Sequence, residues 1–243
     1  MEIINQAVKD KYTSQYETMD SQWRYLGGKQ KSANLLKLCK NLKIENYVDV
    51  GSGDGSVIDF LEKAGFSENM YALEISESGV ERIKARQLNS LKEIKLFNGY
   101  TIPYSDKQFS LSSCCHVLEH VEHPRTLLRE IARVSDYQYF EIPIDFSFFV
   151  DNKIKHYLDY GHINIYTPSL FKFLLKSEGF EIIDEDFWFT SDELLKFQFK
   201  SNSSKYWKQK LKNFIVSLTP YKKIKPSAYS VLCKNTGTGL QIL

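Results

Sequence analysis

The chain has 243 residues, 42% hydrophobic and 26% charged, with a formal net charge of +2. That length and balance exclude a disordered chain and fit one α/β domain with a large core and room for an insertion. So small a net charge gives no reason to expect nucleic acid, and no apolar run approaches the roughly 18–20 residues of a membrane span.

The opening MEIINQAVKDKYTSQ lacks the basic-then-apolar layout of a secretory leader, so a cytoplasmic protein is expected. Cys39 and Cys233 stand apart, Cys114 and Cys115 are adjacent, and no C-x-x-C pair occurs. Buried, reduced thiols are expected instead of a disulfide framework or zinc ribbon.

Residues 1–27 are aromatic-rich and poorly periodic, and KQKSANLLKLCKNL (29–42) reads as an amphipathic helix. A strand at 46–50, NYVDV, runs into GSGDGS (51–56), and helical spacing follows over 57–65 to a Gly stop. A second strand covers 69–75, and SESGVERIKARQL (76–88) opens as a capped helix does, with Ser followed by Glu. Further strands are predicted at 94–97, 109–115 and 137–143, with helices at about 117–133 and 168–178. A last strand pair is predicted at 180–189 and 228–234, an antiparallel, hairpin-like edge interrupted by a Lys-rich insertion at 190–226. Strands alternating with helices of about a dozen residues imply a mostly parallel sheet wound on both faces.

The sharpest local feature is VDVGSGDG. Glycines that end a strand before a helix allow a tight turn and a close ligand approach, and the helix amides beyond favour a negative group. Ser56 stands where a dinucleotide fingerprint needs its last glycine, which counts against a NAD-dependent oxidoreductase. Glu74, at the end of the second strand, can accept both hydroxyls of a ribose.

Together these residues resemble the class I S-adenosylmethionine (SAM)-dependent methyltransferases of the type 11 or type 23 kind. The resemblance continues through residues 98–134, with Pro103, Phe109, Leu118, Glu119, His120, Pro124, Glu130 and Arg133 at motif positions, and through GHINIYTPSLFKFLLKSEGFEI (161–182). It implies an α/β, Rossmann-like, doubly wound sheet of seven strands, mostly parallel, with the last strand antiparallel and a helical insertion before it. It also implies one domain over 1–243, in which 1–44 form a cap and helix and 45–189 the cofactor core. Residues 190–226 are the basic aromatic insertion and 227–243 the last strand and tail. Carried over, Asp49, Gly51, Ser52 and Gly53 would frame the methionine end of SAM, Glu74 would hold the ribose, and Ile75 would pack on the adenine. Asn98, in place of the usual Asp, would accept from the adenine amino group, with Gly99 and Tyr100 along its edge. Cys115 and His116 would face the sulfonium and the acceptor. The product would be S-adenosylhomocysteine (SAH).

SAM carries its own driving force, so the protein must chiefly align and desolvate the partners, and a base is needed only for an acceptor protonated at neutral pH. His116, at the carboxyl end of the fourth strand, and His162 are the base candidates, with Asp145 beside the following loop. His116, His120 and His123 have spacings compatible with one helical face. The resemblance accounts for the Leu-Glu-His run, so no metal site is expected, and His120 is read as held by a backbone bond. Pro143, His156, Tyr157 and Tyr160 are read as a cleft rim.

Between Lys196 and Lys225 lie nine lysines and no acidic residue, interleaved with Tyr206, Trp207, Phe214, Ile215, Val216 and Leu218. A membrane-surface contact, a dimer contact, a lid and a solvated helix face all fit this pattern. The first expectation for function is methyl transfer to O or N of a small-molecule or glycan- or nucleotide-linked acceptor. An RNA methyltransferase and a non-catalytic SAM-fold subunit are the alternatives.

Overall fold

In β1 (Asn46–Val50) residues Tyr47 to Val50 are all buried, as a strand covered on both faces requires. The structure, a computed structural model, describes residues 21–145, 150–199, 203–223 and 226–237. Most of the aromatic lead (1–20) and the final tail (238–243) lie outside the described residues.

The chain continues as α1 (Ser21–Leu38, preceding β1), α2 (Ser56–Lys63), β2 (Asn69–Glu74), α3 (Glu77–Ala85), β3 (Leu91–Leu96) and β4 (Phe109–Cys115). After a 3-10 turn at Leu118–His120 come α4 (Pro124–Val134) and β5 (Ser135–Pro143). Next are α5 (Ile154–Tyr160), α6 (Pro168–Ser177), β6 (Phe180–Trp188), α7 (Asp192–Phe199), α8 (Ser204–Ser217) and β7 (Ala228–Asn235). The strands form one seven-stranded sheet in the order β3-β2-β1-β4-β5-β7-β6. Strands β1 to β5 pair in parallel, and β7 runs antiparallel to both β5 and β6.

Alternate residues of one strand feed opposite cores, because strand side chains have a period of two. Val48 and Val50 join Leu127, Leu128 and Ile131 of α4 and Phe171 and Leu175 of α6. Tyr47 joins Leu35 of α1, Ile58 and Leu61 of α2 and Ile83 of α3 on the other face. The strand order reverses between β1 and β4, so connections leave their carboxyl ends in opposite directions and open a crevice there.

Two expectations are corrected. The helix predicted at 29–42 begins at Ser21 and ends at Leu38, because its first turns pack against α2 despite a weak periodic pattern. The helix predicted at 117–133 is a 3-10 turn followed by α4, which Pro124 starts at its first position. The expected antiparallel pair forms at one end of the sheet, with β7 between β5 and β6.

Candidate active site

Three glycines of the turn after β1 have left-handed backbone: Gly51 (φ 79°), Gly53 (φ 60°) and Gly55 (φ 76°). A Cβ on Gly51 would lie 2.4 Å from Val117 Cγ2, so the turn needs glycine there for both its conformation and its clearance. The amides of Gly51 and Ser52 both donate to the Leu73 carbonyl at 2.9 Å. The Gly53 amide donates to Glu74 Oε2 at 2.9 Å, and Glu74 Oε1 accepts from Ser76 N and Oγ at 3.1 and 2.8 Å. Burial raises the Glu74 carboxyl above its ordinary range, and these donors counter the rise.

Asp54 caps the start of α2 by accepting from the Ser56 amide at 3.1 Å, while Arg86 reaches its other oxygen at 2.9 Å. One of the helix amides expected to favour a ligand's negative group, that of Ser56, is therefore occupied by the protein's own carboxylate. Positive charge comes instead from α1, whose Arg24 and Lys31 line the crevice. Gly28 lets that helix in: a Cβ there would meet Ser56 Cβ at 2.4 Å.

These elements enclose a cavity of about 500 Å³ at the carboxyl ends of the strands. Asp49, Gly51, Ser52, Gly53, Glu74 and Ile75 line it, as do Gly99, Cys115, His116 and His162. Asp49 is buried and accepts from Ser113 Oγ at 2.5 Å. Asn98 and Tyr100 are not on the wall. Asn98 Oδ1 accepts from the Tyr100 and Thr101 amides at 2.9 and 2.7 Å, a local turn that consumes the acceptor assigned to adenine. Tyr100 is buried, with its hydroxyl accepting from the His123 amide at 3.3 Å. Phe97 and Val121 provide apolar wall in their place.

The remaining wall is polar. His116 has a left-handed backbone (φ 56°) that breaks the chain direction at the end of β4. Its Nε2 lies 3.2 Å from Glu141 Oε1 on β5. Glu141 is itself fixed, since Oε2 accepts from Asn34 Nδ2 and the Tyr139 hydroxyl at 2.8 Å each and from Ser230 Oγ at 3.0 Å. Burial lowers the His116 imidazole, and although burial alone would raise the Glu141 carboxyl, His116 and Asn34 hold it below the usual range. His162 Nδ1 stands 2.5 Å from Asp145 Oδ2, which joins two base candidates 17 residues apart. His120 is held by a backbone bond, Nδ1 to the Gly161 carbonyl at 2.9 Å, and burial pushes its imidazole down to about 3. Burial pushes the Glu119 carboxyl up to about 7. The single helical face proposed for His116, His120 and His123 does not form: they occupy a strand end, a 3-10 turn and the residue before α4. His156 is exposed on α5 against Tyr160 and does not reach the wall.

Sequence reasoning missed Trp23, Arg24 and Lys31 of α1 and Leu194 and Gln198 of α7, all on the wall. The Gly27-Gly28 pair inside a helical stretch was the available signal, because such glycines mark close helix contact.

Residues 48–136 match the family model described as a methyltransferase domain. The chain matches no curated protein. Among solved structures it is similar to a complex between the Haloferax volcanii Trm112 methyltransferase activator and a methyltransferase. The TM-score is 0.62 at 13% identity, covering 90% of this chain and 99% of that one. A SAM-dependent methyltransferase from Archaeoglobus fulgidus gives 0.58 at 20% identity, covering 85% and 94%. Geranyl diphosphate C-methyltransferase from Streptomyces coelicolor, solved with Mg2+, geranyl diphosphate and SAH, gives 0.59 at 12%, covering 84% and 79%. At these identities the likenesses establish the fold.

Residues 48–136 are thus similar to a methyltransferase domain, and they lie within a Rossmann-like, seven-stranded sheet of the kind those solved structures share. The residues present fit SAM, the cofactor that this similarity implies. The glycine turn borders open space, and Glu74 at the cavity wall keeps acceptor capacity, since a carboxylate has about four lone-pair sites. No helix among the described residues is long and apolar enough to cross a membrane.

Proposed function

We propose that the protein methylates an O or N atom of a small-molecule or glycan-linked acceptor that must lose a proton during transfer. The observation that carries this reading is the pair of carboxylate-set imidazoles on the cavity wall, His116 on Glu141 and His162 on Asp145. When bound, SAM supplies a methyl on a cationic sulfur that an in-line nucleophile displaces. Asp49 and the turn from Gly51 to Gly53, with Lys31, would hold its methionine end, and Glu74 its ribose. Phe97, Gly99 and Val121 would pack along the adenine.

Glu141 accepts from His116 Nε2–H, which leaves the Nδ1 lone pair as the acceptor for the substrate proton. A carboxylate behind an imidazole fixes its tautomer and stabilises the cation that forms, the logic of hydrolase triads. Asp145 and His162 position the acceptor from the loop side.

The test is a screen of hydroxyl and amine acceptors, including nucleotide-linked sugars and phenols, read by SAH release. Turnover with a member of those classes is expected. Methylation confined to RNA, with affinity falling steeply with salt, would replace this reading by the RNA one.

A further inference from the structure

We propose that Glu119, His120 and His162 form a binding site for one divalent first-row transition ion of the Zn2+ type, open to the cavity. Each residue offers one ligand atom, and the three atoms lie within 4.8 Å of one another. Ligands about 2.0–2.1 Å from one ion stand roughly 3.3 Å apart, so small side-chain rotations would close the set.

The imidazoles are prepared for this. His120 Nδ1 faces a carbonyl oxygen, which can only accept, so Nδ1 carries the hydrogen and Nε2 the lone pair. Asp145 does the same for His162. A coordinating imidazole donating its other N–H to a carbonyl or carboxylate is the usual outer-shell arrangement around a metal. His120 Nε2 lies 3.7 Å from Glu119 Oε1.

Glu119 supplies the independent observation. It is 1% exposed, and neither carboxylate oxygen has a hydrogen-bond partner. A buried carboxylate without donors is costly, and a cation at this point removes the cost. His162, when protonated, and Lys31 are the positive charges whose fields reach it, while Asp145 adds a second negative charge.

The juxtaposition is built into the backbone. The Ile163 and Asn164 amides both donate to the Glu119 carbonyl at 2.9 Å. Asn164 Nδ2 donates to the Leu118 and Val121 carbonyls at 3.2 and 2.7 Å. Two imidazoles and a carboxylate suit Zn2+, Fe2+ or Co2+ better than Mg2+ or Ca2+, which prefer all-oxygen shells. The remaining coordination positions would take an acceptor oxygen and ease loss of its proton to His116, whose Nδ1 is 3.9 Å from Glu119 Oε1. That role, though not the site itself, rests on the proposed methyl transfer.

The test is titration of chelator-stripped protein with Zn2+ by calorimetry and with Co2+ by visible absorption, with Mg2+ as the hard-ion control. One Zn2+ per chain is expected, with far weaker Mg2+ binding. E119Q and H162Q should each weaken Zn2+ by at least about tenfold while H123Q does not, and SAH binding reports that each variant is folded. No stoichiometric Zn2+ binding, or affinity unchanged in both E119Q and H162Q, overturns the site and leaves methyl transfer standing. Loss of SAH binding by the unmutated protein would instead strike the methyltransferase reading.

A different observation carries a second inference. On α8 and its C-terminal cap, Trp207, Leu211, Phe214, Ile215 and Leu218 recur at helical spacing on one face and are 53–71% exposed. Lys205, Lys208 and Lys212 are exposed beside this stripe, and Lys210, on its other side, pairs with Asp192 at 2.7 Å. The helix has no acidic residue, and Tyr206 is its buried anchor. We infer that this face lies on an anionic lipid surface, the apolar stripe entering the acyl boundary and the lysines meeting phosphates. Sedimentation with phosphatidylcholine vesicles containing phosphatidylglycerol should capture the protein, less so as salt rises and at least about tenfold less for L211E/F214E. No capture, capture unaffected by the double substitution, or a dimer in light scattering that L211E/F214E abolishes, would overturn it.

Discussion

Glu74 Oε2 accepts a hydrogen bond from the Gly53 amide at 2.9 Å, tying the tip of β2 to the turn that leaves β1. One side chain thus shapes the turn and presents acceptor capacity to the cavity. E74A should lower SAH affinity by at least about tenfold, equal to roughly 1.4 kcal/mol, with a smaller loss in E74Q. The amide of the glutamine keeps one acceptor and sets an unwanted donor near the Gly53 N–H. Calorimetry at neutral pH measures it, and an E74A affinity within a factor of about two of wild type would contradict the assignment.

Arg86 braces the same turn from the end of α3. Its Nη2 meets Asp54 Oδ2 and its Nη1 meets Asp59 Oδ2, both at 2.9 Å, and its Nε donates to the Asp54 carbonyl. The Arg86 side chain is 19% exposed, so the pairs are only partly screened. R86A should cost about 1–3 kcal/mol in the urea transition and weaken SAH binding. R86K, which retains charge but loses the planar fork, should recover only part of both.

His116 and Glu141 should separate turnover from binding. H116A is expected to reduce kcat by at least about tenfold while SAH affinity stays nearly unchanged, and E141Q should follow in the same direction. H162A should also lose turnover by about tenfold or more, with D145N losing part of it. Initial rates with an accepted acceptor decide this. Undiminished rates in both H116A and H162A would remove these histidines from the chemistry.

Glu178, just after α6, gives an acid-side prediction. Burial alone would raise its carboxyl, but Arg129 and Arg125 more than offset that and hold it below its ordinary value. The contacts are Arg129 Nε at 2.7 Å and Arg125 Nη1 at 2.5 Å. A depressed folded-state value means the stabilisation is present above the unfolded carboxyl value of about 4.3 and is lost as pH falls through the folded one. E178Q should therefore be less stable than wild type by about 1 kcal/mol at pH near 7, and the gap should shrink below pH of about 4. Urea midpoints across that range check the sign.

The strand, glycine turn and acidic strand tip could be read from the residues because they are local. About twenty-five residues carry a buried apolar strand, the glycines that its exit requires, and a carboxylate at the next strand's end. Spacing was a poor guide between residues 98 and 123. Asn98 bonds its own following amides rather than a ligand, and the left-handed backbone at His116 with Pro124 at a helix start break the periodicity that would have stacked three histidines. Only the Gly27-Gly28 pair hinted at the α1 wall, and the meeting of Glu119 and His120 with His162 belongs to tertiary structure alone. Residue 162 lies 42 positions beyond residue 120, and it is placed by the Ile163 and Asn164 amides on the Glu119 carbonyl, contacts no local pattern encodes. The sequence by itself determined the strand, glycine turn and acidic strand tip that border the cavity. Packing decided which side chains stand across the cavity from it, because that depends on how distant segments fill one crevice.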